Sequence, residues 1–243
     1  QAAAAATFDN INGDGTGFDI SSQMSGPVGI AFNNDGTKMF VSDENNDEIY
    51  AYTLSTGFDL STATFSGTSF DVRDQGTSTQ GITFNNDGTK MFVVDNQNAN
   101  EEVNEYTLTT PFDLSSASFV ETNSGGKGFS VKAQEPDPIG IAFNNDGTKM
   151  FIAGGSYPNS EINAYTLSTG FDLKSTVSHV VAFNVNAQDF VTVGVTFNNN
   201  GTRMFVTGGT SDFVYEYTLS VGFDLTSTVT FVDSFDVSGE DTN

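Results

Sequence analysis

The stretch GIAFNNDGTKMF, running from Gly29 to Phe40, decides the fold because it returns three times, as GITFNNDGTKMF from Gly81, GIAFNNDGTKMF from Gly140 and GVTFNNNGTRMF from Gly194. The copies therefore begin 52, 59 and 54 residues apart. A period in this range marks a chain of stacked supersecondary units, none of which can bury its apolar surface alone. Within the first copy, Ile30-Ala31-Phe32 and Lys38-Met39-Phe40-Val41 flank Asn33-Asn34-Asp35-Gly36-Thr37. Asn and Asp tolerate the local backbone and Gly supplies positive φ, so the phrase reads as strand, tight turn, strand.

Each copy leads to a second phrase: EIYAYTLSTGFDL ending at Leu60, then VNEYTLTTPFDL, INAYTLSTGFDL and VYEYTLSVGFDL. The alternation puts Ile49, Ala51 and Thr53 on one face of a third strand and Tyr50, Tyr52 and Leu54 on the other. A third phrase closes each unit: SFDV from Ser69, GFSV from Gly128, AFNV from Ala182 and SFDV from Ser234. In the first unit this fourth strand is expected from Phe65 to Val72. Short strands rich in Phe, Val, Ile, Tyr and Thr, with no helical periodicity, exclude helical solenoids. The expected fold is all-β, a β-propeller of four-stranded antiparallel blades.

The phrase GIAFNNDGTKMFV resembles the repeats of the YVTN and lactonase-like propeller families, and the resemblance covers residues 27 to 237. FNNDGTKMF and YTLSTGFDLSTA are also similar to uncharacterised propeller repeats of marine microbes and their phages. The resemblance implies the fold and leaves function open among enzymes, surface-layer proteins and binders. We divide the chain into a leader or linker, 1–16, and a propeller, 17–243, with units at about 27–79, 80–138, 139–192 and 193–243. Gly17 to Gln23 matches a closing strand, so five closing strands accompany four sets of the other three. Either that extra N-terminal strand or Ser234–Val237 completes the last blade, and the spare invites strand addition between subunits. Alternatively, the chain is one slice of a longer propeller.

Composition narrows the partners. With 31 acidic and 8 basic residues the formal charge is −23, which repels nucleic acid and anionic membranes. Such an excess suits salty surroundings, where screening is short-ranged, or cation binding. There is no cysteine, so disulfides and thiolate chemistry are out. No apolar run is long enough for a membrane helix. Gln1 and five alanines open the chain, as a processed leader, a linker or an expression boundary would.

Candidate site residues fall into three groups. The Asn-Asp-Gly turns, and Asp59, Asp113, Asp172 and Asp224 of the FDL phrase, read as turn chemistry. Asn10, Asn12 and Asp14, followed by Gly15, occupy ligand places of a degraded calcium loop with Ser21 where a bidentate Glu belongs, so calcium is the one cofactor entertained. Loops that vary between units are the third group, because an idealised blade needs variation only where it meets something. Propeller geometry puts Asp43, Glu44, Asp47, Asp74, Asp95, Glu135, Asp137, Asp189 and Asp212 on one acidic face, with Tyr157 as an aromatic contact for a ligand.

Catalysis finds little. His179 is the only histidine, at the start of a closing strand, and there is no G-x-S-x-G elbow. The resemblance to lactonase-like propellers implies a metal site of acids and amides around the channel, where this chain has Val28, Gln80, Ile139 and Val193 before the four glycines. The expected function is a non-catalytic structural or adhesive module, outside the cell or on a virion surface, that self-assembles by strand addition into a homo-oligomer or holds a surface protein. The alternatives are a glycan- or calcium-binding module using the acidic face, and a lactonase-type hydrolase.

Overall fold

The computed structural model describes residues 18–97, 100–122, 127–155 and 160–238. They form four antiparallel sheets, each made from one repeat, arranged as the blades of a propeller. Blade 1 holds β1 (Pro27–Phe32), β2 (Lys38–Asp43), β3 (Glu48–Leu54) and β4 (Ala63–Asp71). Blade 2 holds β5 (Thr79–Phe84), β6 (Lys90–Gln97), β7 (Asn100–Leu108), β8 (Ala117–Val120) and β9 (Phe129–Ser130). Blade 3 runs β10 (Pro138–Phe143), β11 (Lys149–Gly154), β12 (Glu161–Leu167) and β13 (Val177–Asn184). Blade 4 runs β14 (Thr192–Phe197), β15 (Arg203–Gly208), β16 (Phe213–Leu219) and β17 (Val229–Asp236).

The turn chemistry is as expected. Asp35 Oδ1 accepts the Thr37 N–H at 3.0 Å, and Gly36 takes φ 70°. Gly36 is required for a second reason: a Cβ there would lie 2.3 Å from the Phe58 ring, which folds onto the turn with φ 61°. Phe112, Phe171 and Phe223 repeat this left-handed conformation, which costs a bulky side chain energy and is here held by the ring's packing. Asp59, Asp113, Asp172 and Asp224 each accept an N–H two residues on, at 2.9–3.1 Å.

Two details depart from expectation. The closing strand of blade 2 is broken: β8 and β9 both pair with β7, with 121–128 between them. The N-terminal copy also pairs as no strand among the described residues. Ile20 instead accepts from Gln23 N–H and Met24 N–H, the same turn that Val72, Val131 and Val185 make at the ends of the true closing strands. The last blade is completed by β17 on β16.

Blades pack face on face, with β1 against β5, β5 against β10 and β10 against β14. At each joint the closing-strand Phe of one blade meets the third-strand Tyr of the next edge-on: Phe70–Tyr106 at 5.3 Å, Phe129–Tyr165 at 6.0 Å and Phe183–Tyr217 at 5.6 Å. Such pairs add about 1 kcal/mol beyond area burial. Around them Phe40, Ile49 and Val72 of blade 1 bury against Ile82, Met91 and Tyr106 of blade 2. In blades 1 to 3 a lysine ties the second-strand start to the next blade's FDL turn: Lys38 to the Phe112 carbonyl, Lys90 to Phe171 and Lys149 to Phe223, at 2.6–2.8 Å. Phe18 supplies the same edge-on ring to Tyr52 at 5.4 Å, so residues 18–24 cover blade 1 as the end of a preceding blade would.

Candidate functional site

The loops between second and third strands and those entering each blade lie at one end of the sheets, as the antiparallel order requires. The acidic residues singled out there do not form a continuous solvated surface. Asp43, Asp95, Glu135 and Asp189 are all at most 2% exposed, one to each blade. Each holds its own loop. Asp43 Oδ1 accepts Gly26 N–H at 3.1 Å and Asn45 N–H at 3.0 Å. Asp95 accepts Gln97 N–H at 2.8 Å, Glu135 accepts Asp137 N–H at 3.1 Å, and Asp189 accepts Val191 N–H at 2.8 Å.

The carboxylate arrives from different segments. In blades 1 and 2 it lies on the second strand, at the end of β2 for Asp43 and two residues before the end of β6 for Asp95, and faces a glycine-bearing loop; in blades 3 and 4 it comes from the loop and faces a glycine at the strand end. A Cβ on Gly76 would lie 1.1 Å from Asp95 Oδ2, one on Gly154 2.2 Å from Glu135 Cδ, and one on Gly208 2.1 Å from Asp189 Oδ2. One buried carboxylate therefore occupies one place per blade, and glycine opposite leaves room for it. Burial pushes the Asp95 carboxyl up to about 6, with the charges of Asp47 and Glu102 adding to it. Burial likewise pushes Glu135 up to about 7. Burial also acts on Asp189, but hydrogen bonds from Ser211, Thr210 and the Val191 N–H outweigh it and hold that carboxyl below its ordinary value.

Of the remaining face residues, Asp47 is buried at φ 52° beneath Arg73, with Thr79 3.4 Å away in the next blade. Asp137 is half-buried and accepts from the Asn96 side-chain amide. Glu44, Asp74 and Asp212 are exposed. Tyr157, and the calcium candidates Asn10, Asn12 and Asp14, lie outside the described residues.

On the axis, a cavity of about 400 Å³ is lined by inner-strand residues such as Ile82, Phe84, Ile141 and Phe197, with Asn34, Asn86, Asn145 and Asn199 at its rim. Asn34, Asn86 and Asn145 each donate to the backbone carbonyl of the next blade's counterpart, at 2.5–2.7 Å. Of the residues before the four glycines, Val28 and Val193 are exposed, and Gln80 is buried with its amide 3.3 Å from Ser78 Oγ. Among the described residues no three His, Asp or Glu side chains converge as a metal-ligand set. His179 lies on β13 at the outer edge of blade 3, with Nε2 3.0 Å from Asn163 Oδ1 and its ring against Tyr165.

Sequence reasoning passed over the acids of β7. Glu105 is 1% exposed, pairs with Lys90 at 2.7 Å and accepts Leu173 N–H from blade 3 at 2.8 Å. Glu102 accepts Gly128 N–H at 2.8 Å, and burial raises its carboxyl. The signal was available: strand alternation puts Glu105 with Val103 on the face turned to the next blade. These groups fasten blades and loops together.

No family model matches the chain, and no curated protein matches it by sequence. The architecture nevertheless defines a class, the β-propellers, and solved structures share it. A candidate 6-phosphogluconolactonase from Bacteroides uniformis superposes with TM-score 0.56 at 12% identity, covering 87% of this chain and 55% of that one. The periplasmic gluconolactonase of Pseudomonas aeruginosa gives 0.52 at 12% identity, covering 87% and 54%. A chain of the nidogen–laminin complex gives 0.52 at 13%, covering 88% and 81%. At these identities the likeness is one of fold, and this chain spans about half the length of the gluconolactonase-like structures.

Proposed function

We propose that this chain is a non-catalytic propeller module that acts by contact, as a structural or adhesive element at the exterior of a cell or particle. The observation that carries the reading is the use made of the acids: the four deepest loop carboxylates each hold their own backbone, so none is left poised over a substrate. The axial cavity adds apolar and amide groups, a lining suited to packing more than to proton transfer. A charge of −23 favours saline surroundings, where screening limits self-repulsion.

A lactonase is the second reading, favoured by the names of two fold neighbours. One assay separates the two: base uptake at constant pH with glucono-1,5-lactone and 6-phosphogluconolactone, each with calcium and with chelator. The contact reading expects hydrolysis at the spontaneous rate. A rate that rises in proportion to protein overturns it.

A further inference from the structure

The loops entering the four blades are held by one and the same bond, and what they present to solvent differs from blade to blade. Where each second strand finishes, a backbone N–H reaches the carbonyl of the entering loop: Glu44 to Gly26, Asn96 to Ser78, Gly155 to Asp137 and Gly209 to Val191, at 2.8–3.2 Å. Two residues beyond those carbonyls stand Val28, Gln80, Ile139 and Val193. In blade 2 the three places hold Ser78, Gln80 and Asn96, all polar; in blade 4 they hold Val191, Val193 and Gly209, with no polar side chain. Blade 3 lies between, with Asp137, Ile139 and Gly155. The bond forms with either kind of residue, so blade construction does not select the chemistry of these places.

On blades 3 and 4 the apolar members join into one patch, and glycine makes the joining possible. A Cβ on Gly155 would lie 2.8 Å from Val191 Cγ1 and 3.7 Å from Ile139 Cδ1, and one on Gly209 would lie 2.9 Å from Val193 Cγ1 and 3.1 Å from Val191 Cγ1. Val191 therefore lies across the strand ends of both blades, with Ile139 to one side and Val193 to the other. Phe190, its neighbour in the chain, is 57% exposed and Val193 37%, while Val191 and Ile139 are half-buried. One carboxylate borders the patch. Asp137 Oδ1 accepts the Asn96 amide, and Oδ2 would lie 3.6 Å from the Gly155 Cβ, beside the same methyl groups. Charge at this end of the sheets is one-sided. Glu44, Asp74 and Asp212 are exposed, whereas the two basic residues of the loops between blades are already paired, Arg73 with Asp47 and Asp71 and Lys132 with Glu101.

We infer that the patch around Val191 docks a basic segment of another protein, one that combines apolar side chains with lysine or arginine. The aliphatic floor of Ile139, Val191 and Val193 takes the apolar side chains and the stems of the basic ones, and Asp137 Oδ2 takes a cationic head. The exposed acids around it draw the segment in and reject acidic competitors. A second copy of this chain is disfavoured as the occupant, because both copies would carry −23. The inference rests on the contact reading above and names the partner's chemistry. It moves the centre of the site from the acids, most of which hold their own loops, to the apolar residues between them.

The acetylated and amidated peptide Gly-Lys-Val-Lys-Val-Lys-Gly, titrated into the 243-residue chain and followed by the methyl resonances of Ile139, Val191 and Val193, tests this. Saturable binding is expected at or below about 1 mM, with the shifts confined to the patch. Exchanging Lys for Glu in the peptide should abolish binding, and exchanging Val for Ser should weaken it at least about fivefold. Asp137→Asn, which keeps an acceptor for the Asn96 amide, and Val191→Ser should each weaken binding at least about fivefold, with circular dichroism showing both variants folded. Val180→Ser, 47% exposed on the outer strand of blade 3, should leave it unchanged. Raising NaCl from about 0.05 to 0.5 M should weaken binding and leave its sensitivity to Val191 in place. Absence of saturation, or an affinity that follows salt alone and ignores Asp137 and Val191, would overturn the inference. So would a solution mass above 25.8 kDa that Val191→Ser returns to one copy, because a second copy would then fill the patch. Failure to bind without lactone turnover refutes this inference and leaves the contact reading standing, whereas turnover refutes that reading whether or not the peptide binds.

Discussion

Replacing Glu135 by Gln isolates the pH response of one buried loop carboxylate. Glu135 is 1% exposed, and burial lifts its pKa from 4.5 to about 7. The unfolded chain releases this proton near 4.5, so from there to about 7 the folded state holds a proton that the unfolded state has lost. Stability follows the difference in protons bound, so it must fall as pH rises through that window and level off above it. At about 1.4 kcal/mol per pH unit the fall is on the order of 3 kcal/mol. Gln keeps a carbonyl for the Asp137 N–H and removes the titration. Denaturant midpoints of both proteins at about pH 5, 6, 7 and 8, at fixed ionic strength, give a difference in which the other acids cancel. The variant should match the native chain at pH 5 and exceed it by up to about 3 kcal/mol at pH 8. Parallel profiles would show that Glu135 keeps an ordinary pKa and refute the reasoning.

The joints predict unequal costs for one substitution. Phe70→Ala should lose about 2–3 kcal/mol with its edge-on contact to Tyr106, measured by denaturation, while Phe235→Ala, 70% exposed, should lose under about 0.5 kcal/mol in the single chain; equal losses would mean the joints carry no such energy. Gly76→Asp alone drives a side chain into Asp95, and Asp95→Gly alone orphans the Gln97 N–H, each at about 1–3 kcal/mol. The double variant recreates the arrangement of Asp189 and Gly208 and should recover most of the loss in a double-mutant cycle, so strictly additive costs would refute the shared place. Native-state hydrogen exchange should find β15 to β17 opening before β5 to β7, because among the described residues β5 packs against both β1 and β10, whereas β14 packs against β10 and β11 of blade 3; uniform protection would contradict nearest-neighbour stability.

The four repeat units, their strand order and the alternation of β3 were legible because they depend on period and alternation, which a sequence carries locally; which of the two faces turns to the next blade was not. Ile49 and Ala51 do bury toward blade 2, and Tyr50 and Tyr52 away from it. The loop face was legible as a location and not as a surface. Acidic residues in varied loops look solvated when read singly, and only the folded structure reveals that Asp95 and Glu135 lie under their own turns, each opposite a glycine 19 places away in sequence. The fate of the N-terminal copy was illegible for a different reason. Phe18-Asp19-Ile20 has the wording of a closing strand, but a strand needs a partner, and the blade 4 place is already filled by β17. The side chains kept their packing role against Tyr52 while the ladder was lost.

Loop variation is ordinarily read as the mark of a binding surface, since the scaffold has no other need of it. Here part of the variation conserves a geometry. Asp43 and Asp95 on the second strand, Glu135 and Asp189 in a loop, satisfy the same kind of turn, and the change of segment accounts for Gly76, Gly154 and Gly208. Once those residues are spent inside the blades, the acids still open to solvent on this face are scattered, Glu44, Asp74 and Asp212 among them. Phe190 is exposed beside Asp189 on this face, and Ile30, Phe58 and Phe235 are exposed on blades 1 and 4, at positions that are packed at the internal joints. Isolated exposed hydrophobics need no explanation, but a set in register with a buried interface does. Ile30, Phe58 and Phe235 form such a set, because their counterparts within the chain are packed between blades.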